Sequence, residues 1–521
     1  MTTTFWIKAL QMIASLGLLV FIHELGHFMW ARIFGVKVEK FYLFFDFPIM
    51  TPRPQFAFFT YRQGKFSFLK YTKITIPKKS DDTDANNASN EPDYKASAFS
   101  VLSWNKGKLE VCKWEHDLEK IAEEESKQPT YATEYGIGWL PLGGYVNISG
   151  MIDESKQQLS VEPKPWEFRT KPAWQRLLVM LGGIIVNFIT AFVIYMAVLF
   201  TWGESYVKPT DITNGMKFSE TAKADGFADG DIVIKTDGKD VKTWSINVLR
   251  DISNSKEVTV LRQNEEVTIK MPEKMNMLEM AQSNPPYMDI LIPFNIDSII
   301  PGSPAETAGL KVGDVITELN GEKLSDFNDL VYRLADLKGS LTENSTAADS
   351  LKTRSITLVV NGKDTLKAVL THEFTLGFSN PAPQYNTTTK EYGLLECIPA
   401  GIASGWDKLC NYVNDLKYLF SAQGAKSVSG VIGITNIFPE TWDWQRFWLL
   451  TALLSIALGV MNVLPIPALD GGHAVFAIYE MVTRRKPSDK VLEKAQYIGF
   501  AILIGLLILA TWNDITRLLG L

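Results

Sequence analysis

The feature that most constrains this chain is a set of polar residues inside a long apolar run near its N-terminus. Residues 5–34 are mostly apolar and long enough for a helix that crosses a bilayer, yet they contain His23, Glu24 and His27. A charged residue near the centre of a membrane helix costs about 2.5 to 3.5 kcal/mol on insertion scales. The fold must therefore contain something that offsets the burial of these three side chains.

These residues form an H-E-x-x-H motif, which predicts a zinc site. In a helix, His23 and His27 lie on one face one turn apart, so both imidazoles can bind one metal ion. Glu24 lies beside them, where metalloproteases place the general base. Short matches to this motif occur by chance, but a Zn²⁺ ion with an ordered water would offset the burial of all three polar groups.

Composition predicts a membrane protein with large extramembrane parts. The 521 residues are 46% hydrophobic, and the apolar residues are concentrated in a few long blocks separated by polar stretches. The net charge of -6 and the lack of a long basic patch argue against nucleic-acid binding. The three cysteines include no C-x-x-C pair, which argues against a thiolate metal site and a disulfide framework.

Four apolar blocks predict four membrane spans, at about residues 5–34, 177–202, 447–481 and 497–512. The basic residues Arg32 and Lys37 follow the first span, and Arg484, Arg485 and Lys486 follow the third. By the positive-inside rule these ends are cytoplasmic, which places both chain termini outside and the histidines in the inner half of the bilayer. The first span lacks a cleavage site, so we expect a retained helix and not a signal peptide.

The region between the first two spans predicts strands near the membrane surface. Residues 38–68 are rich in Phe, Tyr and Val with partial alternation, whereas residues 78–87 are polar and predict a disordered insert. The many Glu and Lys residues at 109–126 favour a solvated helix. Residues 138–147 predict an apolar, glycine-bearing hairpin, and an extended substrate segment could pair with its edge.

The segment from Val207 to about Asn380 has no spanning block and contains an internal repeat. Residues 309–316, followed by Asn320-Gly321, recur as residues 226–233, followed by Asp237-Gly238. In both copies, the Asn/Asp-Gly pair predicts a tight turn out of a strand. The second copy, which opens at residues 301–308, resembles PDZ domains, which bind extended peptides at a sheet edge. Either copy could instead be a spacer that limits access.

The last third of the chain supplies a candidate third ligand. Residues 394–423 are amphipathic and predict an interfacial helix. The third span is interrupted at residues 464–473 by two prolines and two glycines, and a broken helix at membrane depth indicates a cavity or site. Asp470 in this break is the preferred ligand, with His473 as the alternative. Asn187 in the second span either bonds between helices or lies near the metal.

Three separated motifs resemble the site-2 protease family of intramembrane zinc metalloproteases. They are His23-Glu24-x-x-His27, Pro141-Leu142-Gly143-Gly144-Tyr145, and Asn462-x-x-Pro465-x-Pro467-x-Leu469-Asp470. With two PDZ-like units between the second and third spans, the match is to the branch of bacterial regulator-of-sigma-E proteases. It covers the chain except roughly residues 45–134. The family's usual G-P-x-x-N reads Gly183-Ile184-Ile185-Val186-Asn187 here, without the proline.

The resemblance implies Zn²⁺ bound by His23, His27 and Asp470, with Glu24 as general base. It implies that Gly143, Gly144, Tyr145, Asn462 and Pro465 bind substrate, with Asn187 as possible support. The implied substrates are single-span membrane proteins such as anti-sigma factors or remnant signal peptides, cleaved in regulated intramembrane proteolysis within sigma-factor signalling. The implied location is the bacterial inner membrane, with the PDZ units periplasmic.

The predicted fold class is a polytopic α-helical membrane protein with four transmembrane helices, a membrane-associated β-hairpin or sheet and two PDZ-like α+β domains. The predicted segments are 1–36 (first span with the zinc motif), 37–172 (β region with a polar insert), 173–203 (second span), 206–275 and 288–378 (PDZ-like), 390–440 (interfacial), 446–482 (third span) and 491–515 (fourth span). Two other classes remain open: an inactive PDZ-bearing scaffold or sensor that binds misfolded outer-membrane-protein tails, and a metal-dependent transporter or sensor.

Overall fold

The structure forms two compact units. The computed structural model describes residues 3–46, 55–62, 65–75, 95–105, 108–115, 133–151, 163–273, 275–341, 345–381 and 383–519. The first unit combines Met1–Gly203 with Glu391–Leu521, and the second comprises Glu204–Lys390. The second unit is therefore inserted between the two chain segments that build the first.

Both units contain helices. Numbered along the chain, the helices are α1 Thr3–Ile33, α2 Ala173–Trp202, α3 Glu220–Ala224, α4 Ile246–Asn254, α5 Met277–Gln282, α6 Pro304–Ala308, α7 Phe327–Gly339, α8 Ala347–Arg354, α9 Cys397–Asp415, α10 Ala422–Ser427, α11 Val431–Asn436, α12 Trp444–Val463, α13 Asp470–Thr483 and α14 Asp489–Leu519. Short 3-10 segments lie at Phe168–Thr170, Pro209–Asp211 and Leu416–Phe420.

In the part of the chain that the structure describes, the strands form one sheet in the first unit and several in the second. They are β1 Val38–Phe45, β2 Gln55–Arg62, β3 Lys65–Thr75, β4 Lys95–Asn105, β5 Lys108–Glu115, β6 Glu134–Gly138, β7 Leu140–Ile148, β8 Glu204–Val207, β9 Met216–Phe218, β10 Ile232–Thr236, β11 Lys239–Asp240, β12 Glu257–Arg262, β13 Glu265–Lys270, β14 Met288–Ile290, β15 Ser298–Ile299, β16 Ile316–Leu319, β17 Glu322–Lys323, β18 Ser355–Val360, β19 Asp364–Val369, β20 Phe378–Ser379 and β21 Thr387–Lys390.

Among the described residues, four helices are long and apolar enough to cross a membrane, as predicted. They lie in α1, α2, α12 and α14, and their best windows have mean hydropathies of 1.6 to 2.6. The predicted third span consists of two helices, because α12 ends at Val463 and α13 begins only at Asp470. The prolines at 465 and 467 fall in the connecting loop, where a missing backbone N–H costs no helical hydrogen bond. Helix α14, the last of these four, extends beyond the predicted apolar block at both ends.

Helix α2 lies at the centre of the first unit and packs against α1, α9, α12 and α13. Small residues allow the closest approach: a Cβ atom on Gly26 of α1 would lie 2.4 Å from the Gly182 carbonyl oxygen of α2. A Cβ atom on Gly401 of α9 would similarly lie 2.7 Å from the Met196 backbone. The amphipathic segment predicted at 390–440 therefore contains a helix packed on α2, and its interfacial position stays a prediction.

The sheet of the first unit has seven strands in the order β5-β4-β3-β2-β6-β1-β7. Strand β1 runs parallel to β6 and antiparallel to β7, so it separates the two. The predicted hairpin at 138–147 is therefore wrong, because its two strands do not pair with each other. Only Trp139 lies between them, which is too short for a hairpin turn. At this corner the Trp139 N–H donates to the Phe45 carbonyl (3.1 Å).

A second prediction is also wrong in part. Residues 109–115, predicted as the start of a solvated helix, lie in strand β5 and pair with β4, where Leu109 is opposite Trp104. The remainder of that predicted helix and the predicted disordered insert at 78–87 lie outside the described residues. The charge content of this segment was a weaker signal than the alternation of Leu109, Val111 and their neighbours.

The internal repeat of the sequence corresponds to a repeat in the second unit. Each copy contains a four-stranded sheet, β11-β10-β12-β13 in the first and β17-β16-β18-β19 in the second. The predicted tight turns are confirmed: Asp237 and Gly238 have φ of 46° and 73°, and Asn320 and Gly321 have φ of 53° and 89°. Two consecutive positive φ angles are typical of a type I′ turn. The PDZ identity of the copies stays a prediction.

A buried lysine joins the two copies within this unit. Lys217, on β9 of the first copy, is 5% exposed, and its Nζ lies 2.7 Å from Asp326, 2.9 Å from Asp329 and 3.0 Å from Asp229. Burial alone would lower the pKa of Lys217, but hydrogen bonds to the three carboxylates outweigh it and raise the pKa. Because the folded-state pKa is raised, this contribution to stability is complete at neutral pH and is lost only in strongly alkaline solution.

Replacing Lys217 by methionine should destabilise the second unit by about 3 kcal/mol, because it leaves the buried carboxylate of Asp326 without its cation. Hydrogen exchange of residues 204–390 in the intact protein measures the effect. The control is Lys235→Met, which removes an ion pair with Glu266 (3.0 Å) whose two side chains are much more exposed. That variant should lose less than about 1 kcal/mol. Equal losses in the two variants would contradict the role given to Lys217.

Candidate metal centre and active site

His23 and His27 lie on successive turns of α1 and face the same side of the helix. Their Nε2 atoms are 3.2 Å apart, and their rings meet edge to face with centroids 4.8 Å apart. Both side chains are buried, at 7% and 5% exposure. This pairing follows from the spacing of four residues in a helix, which places the two side chains one above the other.

Asp470 reaches the same point from the start of α13. Its Oδ2 lies 3.2 Å from His23 Nε2 and 3.3 Å from His27 Nε2. Among the described residues, His23, His27 and Asp470 form the group whose ligand atoms all lie within 4.8 Å of one another. His473, the alternative ligand from the sequence, is not part of this group. The loop between α12 and α13 is thus what carries the carboxylate to the histidines.

The other ring nitrogen of His27 is held by the backbone of α2. Its Nδ1 lies 2.8 Å from the Val179 carbonyl oxygen. Because a carbonyl can only accept, Nδ1 carries the proton and donates it to this bond. The Nε2 lone pair is then directed toward Asp470 and His23, which is the tautomer that a metal ligand needs.

Asn187 of α2 holds the other ring nitrogen of His23. The side-chain amide is completely buried and lies 3.1 Å from His23 Nδ1. The Asn187 atom nearest to Nδ1 is the amide nitrogen, and the amide oxygen has no partner. With the amide turned over, its oxygen would accept from the Nδ1–H of His23 and leave the Nε2 lone pair facing the centre. The two roles predicted for Asn187 coincide, since the residue bonds between helices and lies beside the histidines. Its backbone carbonyl also accepts from Ser455 Oγ of α12 (2.7 Å).

The donor set fits zinc. Asp470 Oδ2 is buried and has no hydrogen-bond donor, although two imidazole nitrogens lie within 3.3 Å of it. Three lone pairs that converge in a buried space repel one another unless a cation lies between them. Two imidazole nitrogens and one carboxylate oxygen are the ligands of many catalytic zinc sites, which keep a fourth position open. His23, His27 and Asp470 would therefore hold the ion.

Glu24 lies next to the ligands and is tied to the sheet. Its carboxylate interacts electrostatically with His23, His27 and Asp470, and it is hydrogen-bonded to the backbone of Val146 in β7. Val146 could not have been found from the sequence, because a backbone group carries no residue signal.

Asn462 and Pro465, predicted to bind substrate, lie at the end of α12 and in the loop that follows. The Asn462 side-chain nitrogen is 3.2 Å from His23 Nε2, so this amide lies at the edge of the ligand group. The loop packs tightly onto the start of α13: a Cβ atom on Gly471 would lie 2.3 Å from the Val463 carbonyl oxygen. The glycine in this position allows the chain to turn back and present Asp470.

Gly143, Gly144 and Tyr145 lie on β7, the last strand of the seven-stranded sheet. A Cβ atom on Gly144 would lie 2.7 Å from the Tyr42 carbonyl oxygen and 3.3 Å from Val20 of α1. Val20 precedes His23 by about one helical turn. Tyr145 stacks on Tyr42, with ring centroids 5.4 Å apart, and its hydroxyl donates to Asp46 (2.9 Å).

Gly183 of α2 lies directly against the two imidazole rings. A Cβ atom at this position would be 2.6 Å from His23 Cε1 and 2.6 Å from His27 Nε2. The sequence indicated close helix packing at 182 and 183, but not that the histidines would be the contact. The glycine at the start of the G-x-x-x-N pattern was the available signal.

Comparison with known proteins agrees with the motifs. The profile of "Peptidase family M50" matches residues 11–68 and 122–506. The chain is similar to the "Regulator of sigma E protease" of Haemophilus influenzae, with 29% identity over 74% of this chain and 88% of that protein. It is also similar to the "Protease RseP" of Yersinia pestis, with 25% identity over 97% of this chain and 98% of that protein.

Replacing Gly183 by alanine should weaken zinc binding by about 10- to 100-fold, because the added methyl group displaces both imidazoles. Metal content of the purified protein after dialysis against graded zinc concentrations measures the change. Gly505→Ala is the matched control, since Gly505 also lies within a long helix and a Cβ atom there meets nothing within 4 Å. Wild-type zinc affinity in Gly183→Ala would show that the rings do not need this space.

Proposed function

The chain belongs to peptidase family M50 and is a zinc-dependent metalloprotease, and on this premise we propose that it hydrolyses peptide bonds within the membrane-spanning segments of single-span proteins. It is an integral membrane protein, and the part of the chain that the structure describes contains four helices long and apolar enough to span a membrane. The proposed process is regulated intramembrane proteolysis. Because relatives are named regulators of sigma E, the proposed substrates include anti-sigma factors, and remnant signal peptides are a second group.

The observation that carries this proposal is the position of the ligand group within membrane-type helices. His23 and His27 lie inside the apolar span Thr4–Ile33, and Asp470 follows the apolar helix Trp444–Val463. Six residues separate His27 from the end of α1, which corresponds to about 9 Å of helix. A peptide bond that reaches these ligands must therefore enter below the surface of the bilayer.

The residues of the site divide the chemistry between them. Bound zinc supplies Lewis-acid activation of a water molecule and of the scissile carbonyl. Glu24 takes the proton of the attacking water and passes it to the leaving amine, as a general base and then a general acid. The hydrogen bond from the Val146 backbone holds the Glu24 carboxylate in place for both transfers.

Strand β7 is the proposed docking site for an unwound substrate. A helical segment hides its carbonyls in backbone hydrogen bonds, so it must extend before it can be cut. Pairing with the edge of β7 at Gly143, Gly144 and Tyr145 would replace the lost bonds. Because β7 passes Val20 and bonds to Glu24, a substrate paired there runs beside the ligands. Asn462, and Pro465 beyond it, would hold the substrate at the other side.

The second unit is proposed to limit the access of substrates to the metal site from the periplasmic side. Basic residues after α1 and after α13 favour a cytoplasmic position for these ends, which supports a periplasmic position for Glu204–Lys390. Its entry and exit strands pair with each other, with Val207 opposite Thr387. A PDZ-like tandem closed in this way can act as a size filter, or its copies can bind peptides.

Replacing Glu24 by glutamine should reduce cleavage of a tagged single-span substrate by about 100-fold or more, because the general base is lost. Zinc content should stay unchanged, since Glu24 is not among the proposed ligands. Glu440→Gln is the control, because Glu440 is an exposed glutamate in the loop before the membrane-type helix α12. Normal cleavage by Glu24→Gln would favour a scaffold or a transporter over the proposed protease site.

Excision of residues 208–386 tests the filter. An Asn-Gly turn can join Val207 to Thr387, because these residues are paired neighbours in β8 and β21. The shortened protein should cleave a substrate with an untrimmed outer domain faster than the intact protein does, and a trimmed substrate at a similar rate. If the untrimmed substrate remains as slow as before while the trimmed one is cut normally, the second unit is not a filter.

A further inference from the structure

One face of the seven-stranded sheet carries a continuous row of large apolar side chains. Neighbouring strands from β1 to β5 place these residues directly opposite one another: Phe41, Tyr135, Tyr61, Phe66, Trp104 and Leu109. Residues in register project from the same face of a sheet. Phe68, Leu102 and Val111 form a parallel row two residues away on β3, β4 and β5. We call this surface the aromatic face.

The aromatic face begins under α1. The Phe41 ring lies 5.4 Å from Phe21 and 5.3 Å from Phe28 of α1, measured between centroids. The ring contacts then continue away from the helix, from Tyr135 to Tyr61 at 6.4 Å and from Tyr61 to Phe66 at 4.7 Å. The surface that packs on a membrane-type helix and the surface on β3–β5 are therefore the same side of one sheet.

Beyond α1 the polarity of the sheet is the reverse of that in a water-soluble protein. Phe66, Trp104 and Leu109 are exposed among the described residues, as are Phe68, Leu102 and Val111. On the opposite face, Thr60, Ser67 and Ser103 are aligned in register and buried. Water favours the opposite arrangement, whereas lipid-facing strands alternate apolar residues outside with polar residues inside.

The depth at which the aromatic face contacts α1 indicates that lipid is the partner of this face. The Arg32 guanidinium near the end of the span lies 5.8 Å from the Phe28 ring. Basic residues and aromatic rings meet in this way at the boundary between hydrocarbon and headgroups. Among the described residues β5 ends the sheet, and an unpaired strand edge is not tolerated in hydrocarbon, which favours a position at that boundary.

We propose that the aromatic face of β3, β4 and β5 rests on the lipid bilayer around α1, with its rings in the boundary region. Strands β4 and β5 fall between the two parts of the M50 match, so this surface gives a role to a segment that the family profile does not cover. A sheet held by lipid at one end and by α1 at the other keeps β7 at a fixed depth beside Glu24.

Spin labels on single cysteines test this contact in the intact protein. The three natural cysteines are replaced by alanine, and labels are attached at Val111→Cys or Leu102→Cys. The control is Val369→Cys, because Val111 and Val369 are both exposed valines on terminal strands, β5 and β19. The proteins are reconstituted in phosphatidylglycerol–phosphatidylcholine vesicles, and collisions with oxygen and with a water-soluble nickel chelate are measured by power saturation.

The oxygen-to-nickel collision ratio should be several-fold higher at positions 111 and 102 than at 369. Ratios equal to that at 369 would overturn the proposal, because the face would then contact water. Exclusion of both reagents would also overturn it, since the face would then be covered by protein. Unchanged protease activity relative to the cysteine-free parent shows that each labelled protein is folded, and either label position suffices for the test. The readout does not depend on the identity of the substrate.

Discussion

The interaction on which this structure depends is the meeting of His23, His27 and Asp470 between apolar helices. Each of these groups is costly to bury alone, and together they leave Asp470 Oδ2 without a donor. A divalent cation offsets this cost, and neighbouring groups hold the three ligands in position to bind it. Helix α2 supplies the Val179 carbonyl and the Asn187 amide to fix the two rings, and the broken segment before α13 brings the carboxylate to them.

Much of this site follows from local sequence patterns. The spacing of His23 and His27 fixes their common face, the length of the apolar blocks predicts the four membrane-type helices, and the Asn/Asp-Gly pairs predict their turns. The contacts that could not be predicted are those made by backbone groups or by distant segments. Val146 reaches Glu24 through its main chain, and β1 inserts between β6 and β7 although the latter two are adjacent in sequence. Nothing in residues 138–147 indicates a strand from about a hundred residues earlier.

The helix predicted at 109–115 was wrong for a different reason, because the sequence there did contain a pattern typical of a strand. Polar and apolar residues alternate from Lys108 to Val111 in the first half of β5, and this period of two favours a strand, but the high content of Glu and Lys suggested a solvated helix. In a soluble protein such a strand would expose its polar side. Leu109 and Val111 are exposed instead, which is the arrangement that the proposed contact with lipid requires.

Gly183 shows how one position can be constrained from far away in the chain. Gly183 cannot carry a side chain without displacing its neighbours, because two imidazoles from α1 fill the space that a Cβ atom would need. The set of residues allowed at 183 is therefore conditional on the residues at 23 and 27. A smaller ligand at either histidine position would relax this constraint, so substitutions at these three sites should be non-additive. Mutational tolerance of α2 at this point is thus a property of the metal site and not of the helix that carries it.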